Sequence, residues 1–303
     1  METDNNSLLL CVVGPTACGK TRLSAKLAHI LNGEIISADS RQVYRGMSIG
    51  TGKDLEEYVI DGQSIPYHLI DIADAGEKYS IYEFQRDFKD AYKNIVKRDK
   101  LPILCGGSGL YIESVLNNYH LDYVPYNRGF RQKCTSLSME ELAEMLQQKK
   151  KLHNTTDILD RERLIRALEI ALYNEQYPAK AAIFSPNYKI FHIQAERECL
   201  RQRITTRLHQ RLENGLVDEV KLLMDSGIDV RYYGLEYRFV SDYLNETLSY
   251  DEMAERLETA IGQFAKRQQT WFNRMKRNGF ELIDIDESLN DDEKLQFIIQ
   301  CCK

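Results

Sequence analysis

The octet Gly14-Pro15-Thr16-Ala17-Cys18-Gly19-Lys20-Thr21 constrains the fold more than any other stretch of this chain. It fits G-x-x-x-x-G-K-[ST], the phosphate-cradling P-loop. A P-loop works in one local geometry: a buried strand leads in and a helix leads out. Successive backbone N–H groups and the helix N-terminus then face an anion. The flanks supply both elements. Leu8 to Val13 is an unbroken apolar run, and Leu23, Leu27, Ile30 and Leu31 recur at helical spacing after the octet. Lys20 would reach the outer phosphate and the Thr21 hydroxyl would touch Mg²⁺. Alone, the octet says that a polyphosphate binds, and the ordinary reading is a nucleotide such as ATP.

The chain around it alternates strand and helix. Glu34 to Ala38 reads as a strand, Tyr79 to Arg98 as a helix with Ser80 and Glu83 as its capping box, and Leu101 to Cys105 as a third strand. Leu110 to Leu116 resumes a helical pattern. Such alternation predicts an α/β fold, a P-loop NTPase-like parallel sheet flanked by helices. A polar, tyrosine-rich connection follows, and from Ser138 to about Tyr173 the pattern is wholly helical. Tyr188 to Gln194 returns to strand. Long helices are expected over Glu196 to Leu212, Leu216 to Ser226 and Tyr250 to Arg277, with a last short strand over Phe280 to Ile285. The expected organisation is therefore an α/β core, residues 1–124 and 185–303, carrying an all-helical insertion over 125–184.

Composition narrows the class of partner. Of the 303 residues, 43% are hydrophobic and 28% charged, as in an ordinary globule. No apolar run approaches the roughly 20 residues of a membrane span, and the polar start METDNNS does not resemble a signal peptide. The cysteines, Cys11, Cys18, Cys105, Cys134, Cys199, Cys301 and Cys302, form no C-x-x-C pair, which fits reduced thiols and a cytoplasmic protein. The net charge of −6 argues mildly against nucleic acid. The distribution argues the other way: Arg197, Arg201, Arg203, Arg207 and Arg211 cluster, as do Lys266, Arg267, Arg274, Lys276 and Arg277. Such runs are also what solvated helix faces look like.

In an open parallel sheet, ligands bind beyond the carboxyl ends of the strands. The first strand ends in the P-loop, the second in Asp39-Ser40 and the third in Gly106-Gly107-Ser108. Nucleotide hydrolases and kinases usually hold Mg²⁺ with a Walker-B acid, and LPILC ends in glycine and serine instead. Asp39 could ligate metal through water, take a proton, or cap the next turn, the common fate of Asp-Ser after a strand.

Five segments together resemble the tRNA dimethylallyltransferases, also called tRNA isopentenyltransferases. They are GPTACGKT, SADSRQVYRGMSIGTGK (Ser37 to Lys53), GGSGLY (Gly106 to Tyr111), RLIRALE (Arg163 to Glu169) and AKRQQTWF (Ala265 to Phe272). They stand in the family's order and span nearly the whole chain. The resemblance implies transfer of a dimethylallyl group from dimethylallyl diphosphate to N6 of the adenosine just 3′ of the anticodon, with release of diphosphate. On that reading Gly14 to Thr21, with Arg207, hold the donor's diphosphate, and Thr21 meets Mg²⁺. Asp39 is the general base, and Lys20 and Ser108 act beside it, Ser108 standing where most members have threonine. Asp39, Ser40, Arg41, Gln42 and Ser108 contact the tRNA. In the helical insertion Arg131, Glu162, Arg163, Leu164, Ile165 and Arg166 match segments facing the anticodon stem-loop, and Lys266 and Arg267 fall in a basic C-terminal helix. No phosphoryl group moves, so no Walker-B acid is required. The expected partners are tRNA and the donor, with the protein a monomer. Two departures stand out: Glu236 occupies a place where glycine is usual, and no segment matches the zinc-finger extension of eukaryotic relatives.

The competing reading is a small-molecule P-loop kinase, which the octet and an Asp after the second strand would also suit. A tRNA-binding protein without catalysis is the third, and the intact Lys20, Thr21 and Asp39 count against it.

Overall fold

A computed structural model describes residues 7–117, 119, 121, 123–149, 160–177, 184 and 186–302. The chain divides into two compact units, Met1–Asn118 with Phe184–Lys303, and Tyr119–Ile183.

In the first unit, β1 (Leu8–Val13) enters the glycine loop and α1 (Lys20–Ile30) leaves it. β2 (Gly33–Ala38) follows, then a 3-10 turn at Leu55–Tyr58 and a small antiparallel hairpin, β3 (Val59–Ile60) and β4 (Gln63–Ser64). The chain continues through β5 (Tyr67–His68), α2 (Ile81–Lys97), β6 (Leu101–Gly106) and α3 (Gly109–Leu116). The second unit contains α4 (Arg128–Cys134), α5 (Met139–Lys149) and α6 (Arg161–Gln176). The first unit resumes with β7 (Asn187–Ile193), α7 (Arg197–Glu213), α8 (Leu216–Asp225), α9 (Leu235–Leu244), α10 (Tyr250–Arg277), β8 (Leu282–Ile285) and α11 (Asp291–Cys302).

The sheet has six strands in the order β5-β2-β6-β1-β7-β8, and every neighbouring pair is parallel. The alternation of β1 shows why helices must cover both faces. Leu9, Cys11 and Val13 pack with Phe84, Phe88 and Tyr92 of α2, while Leu10 and Val12 pack with Leu23 and Leu27 of α1 and Ile298 of α11. A third apolar cluster lies among the later helices, joining Ile204 and Leu208 of α7, Val220 of α8, Tyr237 and Val240 of α9, and Leu257 and Ile261 of α10. In the second unit Cys134, Leu142, Leu146, Leu164, Ile165 and Leu168 form the core.

Register fixes the site. Val13 of β1 lies beside Gly106 of β6, and Gly106 lies beside Ala38 of β2. The P-loop, Asp39 and Gly107-Ser108 therefore leave the sheet at one level of one edge. After β2 and β6 on one side of β1, the chain crosses to β7 on the other, so this edge is also the topological switch point.

The expected capping box at Ser80 forms, and a second one forms at Ser138. Ser80 accepts from Tyr82 N at the start of α2 with Glu83 completing the box, and Ser138 N donates to Glu141 at 2.7 Å. The helical pattern expected over 138–173 is met by α5 and α6, and residues 150–159 lie outside the described residues. β5, α4, α9 and α11 were not expected. β5 spans two residues, too few to show a period of two, and it forms because Ile35 and Ile36 offer it an open strand edge.

Candidate active site

The three strand ends open into a cleft of about 580 Å³ within the first unit. Thr16, Lys20 and Thr21 line it from the P-loop, Asp39, Ser40, Arg41 and Gln42 from the segment after β2, and Ser108 from the turn after β6. Arg207 of α7 and Arg267 of α10 complete the set of expected site residues in its wall.

The loop's backbone explains its glycines. Gly19 caps α1 at φ 81°, a left-handed conformation that glycine takes without strain. Cys18 is buried, its sulfur packed against Gly14 where a Cβ would come within 2.8 Å. Gly14, Pro15, Ala17, Cys18 and Gly19 are not among the residues that line the cleft; they shape the loop that carries Thr16, Lys20 and Thr21 to it. Lys20 Nζ donates to Pro15 O at 3.1 Å, which folds the ammonium over the loop. The Thr21 hydroxyl has no hydrogen-bond partner among the described residues.

Asp39 divides its two oxygens. Oδ1 accepts from Arg41 N at 2.9 Å, the Asx-turn bond. Oδ2 has no partner among the described residues and is free for the cleft. Ser108 Oγ accepts from Ser40 N at 3.1 Å, and Ser108 N donates to Ala38 O at 3.2 Å. The Ser108 hydroxyl thus keeps its own proton to donate beside Asp39. Gln42 is buried and spends its amide internally: Oε1 accepts from Ser37 Oγ at 3.0 Å, and Nε2 donates to Gly52 O at 2.8 Å. Arg41 reaches Tyr232 O at 2.7 Å across the cleft mouth.

Side chains that sequence reasoning passed over hold these pieces together. Gln268 of α10 accepts from Thr16 N at 2.8 Å through Oε1 and donates to Gly107 O at 2.9 Å through Nε2. A Cβ on Gly107 would stand 2.4 Å from that Nε2, so the glycine makes room for the bridge. Trp271, the single tryptophan, lies over Gly109 with its Nε1 on Glu113 at 3.0 Å and the Arg274 guanidinium 3.8 Å above its ring. Glu219 of α8 accepts from Ser48 N, Ile49 N and Gly50 N at 2.8, 2.8 and 2.9 Å and from Tyr237 at 2.7 Å. Lys53, at the end of the GTGK run, is buried against Asp71 and donates to Tyr44 O at 2.6 Å, so it fastens the loop that begins at Asp39. Gln268 and Trp271 both lie in the AKRQQTWF segment, beside its basic residues Lys266 and Arg267.

Electrostatically the cleft floor is mixed. Arg207 donates to Thr16 Oγ1 at 3.4 Å and stands 3.8 Å from Asp54. Burial, with the neighbouring Arg211 charge, holds the Arg207 guanidinium below its usual range. Burial pushes the Glu236 carboxyl up, against the pull of Arg211. It also pushes the Cys105 thiol up to about 11, so Cys105 lines the cleft as neutral SH rather than as a nucleophile. Among the described residues no three His, Cys, Asp or Glu side chains come together to hold a metal.

The other expected contacts are distributed differently. Lys266 is exposed on α10 and lies outside the cleft wall, whereas Arg267 lines it beside Phe264. In the second unit Leu164 and Ile165 are core residues of α6, at 0% and 5% exposure, so their side chains do not face a ligand. Arg131 bonds Glu169 at 2.9 Å and Glu162 at 2.6 Å, and Arg166 bonds Glu169 at 3.1 Å and Val124 O at 2.7 Å. Both arginines thereby hold a buried glutamate. Glu162 and Arg163 are exposed.

Comparison with known proteins gives a consistent result. The family described as IPP transferase matches residues 42–275. A protein of Bacteroides fragilis named tRNA dimethylallyltransferase 2 is 51% identical over 299 residues, covering 97% of this chain and 98% of its own. One from Porphyromonas gingivalis named tRNA dimethylallyltransferase 1 is 50% identical, covering 96% and 98%. Among solved structures, the full-length tRNA isopentenylpyrophosphate transferase of Bacillus halodurans superposes with a TM-score of 0.72 at 33% identity, covering 98% of this chain and 96% of that one.

Proposed function

The chain belongs to the IPP transferase family, and we propose that it is a tRNA dimethylallyltransferase: it moves a dimethylallyl group from dimethylallyl diphosphate to N6 of the adenosine 3′ of the anticodon. The observation that carries the reading is the pairing of a phosphate loop with a free carboxylate oxygen, Asp39 Oδ2, at one sheet edge that bears no Walker-B acid.

The chemistry balances with these groups. The adenine N6 lone pair attacks the allylic carbon, that carbon's bond to oxygen breaks, and the electron pair leaves with diphosphate. Asp39 takes the N6 proton, which an exocyclic amine conjugated with its ring must lose as the new bond forms. The Ser108 hydroxyl offers a donor to the same base edge. Backbone amides of the loop, Lys20 and Arg207 stabilise negative charge as it grows on the leaving group. Mg²⁺ would take the Thr21 hydroxyl, unengaged among the described residues, as its protein contact. When bound it neutralises charge on the leaving diphosphate.

The target base is stacked in the anticodon loop and must be turned out to reach the donor. Arg41 and Arg267 at the cleft mouth, with Tyr232 exposed to 76%, offer charge and a stacking face for the strand that carries it. The residues of 119–183, including exposed Glu162 and Arg163, supply the grip on the anticodon stem-loop. No helix among the described residues is long and apolar enough to cross a membrane. The test is transfer of labelled dimethylallyl from its diphosphate to tRNA, in the absence of ATP. ATP turnover with a small-molecule acceptor and an unlabelled tRNA would instead identify a P-loop kinase.

A further inference from the structure

The cleft floor carries a chain of alternating charges, of which the reaction itself employs only Arg207 at the phosphate-loop end. Arg207 stands between Thr16 Oγ1 at 3.4 Å and Asp54 at 3.8 Å. Asp54 is shared with Arg211, whose NH2 lies 3.4 Å away. The other arm of Arg211 points to Glu236 at 3.6 Å. Thr16, Arg207, Asp54, Arg211 and Glu236 thus run from the phosphate loop to the start of α9.

We propose that Arg211 and Glu236 are positioning residues that set how tightly the site holds diphosphate, by controlling how strongly Asp54 competes for Arg207. The proposal rests on the reading of the P-loop as a diphosphate cradle. Asp54 is the only carboxylate among the described residues that pairs with Arg207, and a phosphate must win Arg207 from it. Arg211 draws Asp54 the other way, with the shorter contact. Glu236 in turn divides Arg211, so that the pull on Asp54 is partial.

The packing is built to hold this arrangement. Arg211 is 7% exposed, and a Cβ on Gly52 would fall 1.8 Å from its NH2, so only glycine at 52 admits the guanidinium. Gly52 has φ 62°, and its carbonyl accepts from Gln42, which ties the arginine's seat to the segment that presents Asp39. Arg211 Nε is buried without a partner, and its two carboxylate contacts are long. An arginine held for stability alone would be expected to fork onto one carboxylate. Here it is stretched between two.

Opposite signs follow for the two partners. Glu236→Gln releases Arg211 to Asp54 and removes one negative charge from the floor; it tightens diphosphate binding by on the order of three- to tenfold. Arg211→Met frees Asp54 to pair with Arg207 and removes a positive charge; it weakens binding by a similar factor. The double variant restores the net charge but leaves Asp54 with Arg207, so its affinity falls below wild type and above Arg211→Met. A merely structural pair would move affinity the same way from either side.

The test is titration calorimetry of inorganic diphosphate with Mg²⁺ into the full-length wild type and the three variants, each first checked by thermal melting. Donor KM and tRNA KM are measured in parallel, and donor KM alone should follow the calorimetric order. Unchanged or weaker binding in Glu236→Gln would overturn the proposal. If Arg211→Met alone does not fold, the double variant carries the comparison, and affinity equal to Glu236→Gln would overturn it equally. Loss of prenyl transfer in the wild type, with this order intact, would count against the proposed function and not against the relay.

Discussion

The backbone N–H of Ser40 donates to Ser108 Oγ at 3.1 Å, joining the residue after Asp39 to the turn that ends β6. The bond orients the hydroxyl by its lone pair and leaves its proton free. Acid and hydroxyl are thereby held as one unit at the edge where the phosphate loop also opens.

Asp39→Asn separates the two duties of that acid. Asparagine keeps an oxygen for Arg41 N, so the Asx turn survives, but it cannot take a proton. Turnover should fall by roughly 10²–10⁴ while tRNA affinity stays within about twofold, as read by single-turnover kinetics and filter binding. Near-normal turnover would remove Asp39 as the base.

Lys20→Ala removes a charge from the proposed diphosphate cradle. Its kcat/KM for the donor should fall on the order of a hundredfold, the usual cost of one donor at a developing charge, with tRNA affinity kept. Unchanged donor kinetics would mean that the leaving group binds elsewhere.

Gln268 bridges the P-loop and the Gly107 turn, so its loss should loosen both. Gln268→Ala strands Thr16 N and Gly107 O, and stability should drop by about 1–3 kcal/mol in urea melts, together with kcat/KM. Gln268→Glu keeps the acceptor for Thr16 N but sets an oxygen against Gly107 O. It should cost as much or more; a neutral result would show that the bridge is incidental.

Glu34 gives the fold an acid limit. Burial works to raise its carboxyl, and hydrogen bonds and charge from Arg98 and His68 outweigh burial and hold it below the usual carboxylate range. A depressed carboxyl contributes stability that is present above the ordinary glutamate range and is lost as pH falls through the folded-state value. Urea melts from about pH 6 to about pH 3 should therefore lose stability more steeply in wild type than in Glu34→Gln. Parallel profiles would contradict the assignment.

Much of the site was legible because its chemistry is local. A P-loop is eight consecutive residues, a capping box is four, and the apolar runs of β1 and β6 announce a doubly covered sheet. What escaped depends on distance in sequence. Gln268 acts on Thr16, 252 residues away, and a glutamine on an amphipathic helix carries no sign of such a role. Arg211 reads as one more basic residue until Gly52 and Glu236 are seen around it. Leu164 and Ile165 show the converse: they lie in a segment expected to face RNA, but helical periodicity turns both of them inward. Asp39 read as either a cap or a base because sequence has no means of assigning two oxygens separately.

The central claim is tested most directly by mass spectrometry of nucleosides from tRNA incubated with the enzyme, dimethylallyl diphosphate and Mg²⁺, without ATP. The account predicts N6-dimethylallyladenosine at the position 3′ of the anticodon, with one diphosphate released per modified nucleoside. Unmodified adenosine there, despite donor bound at the P-loop, would contradict it.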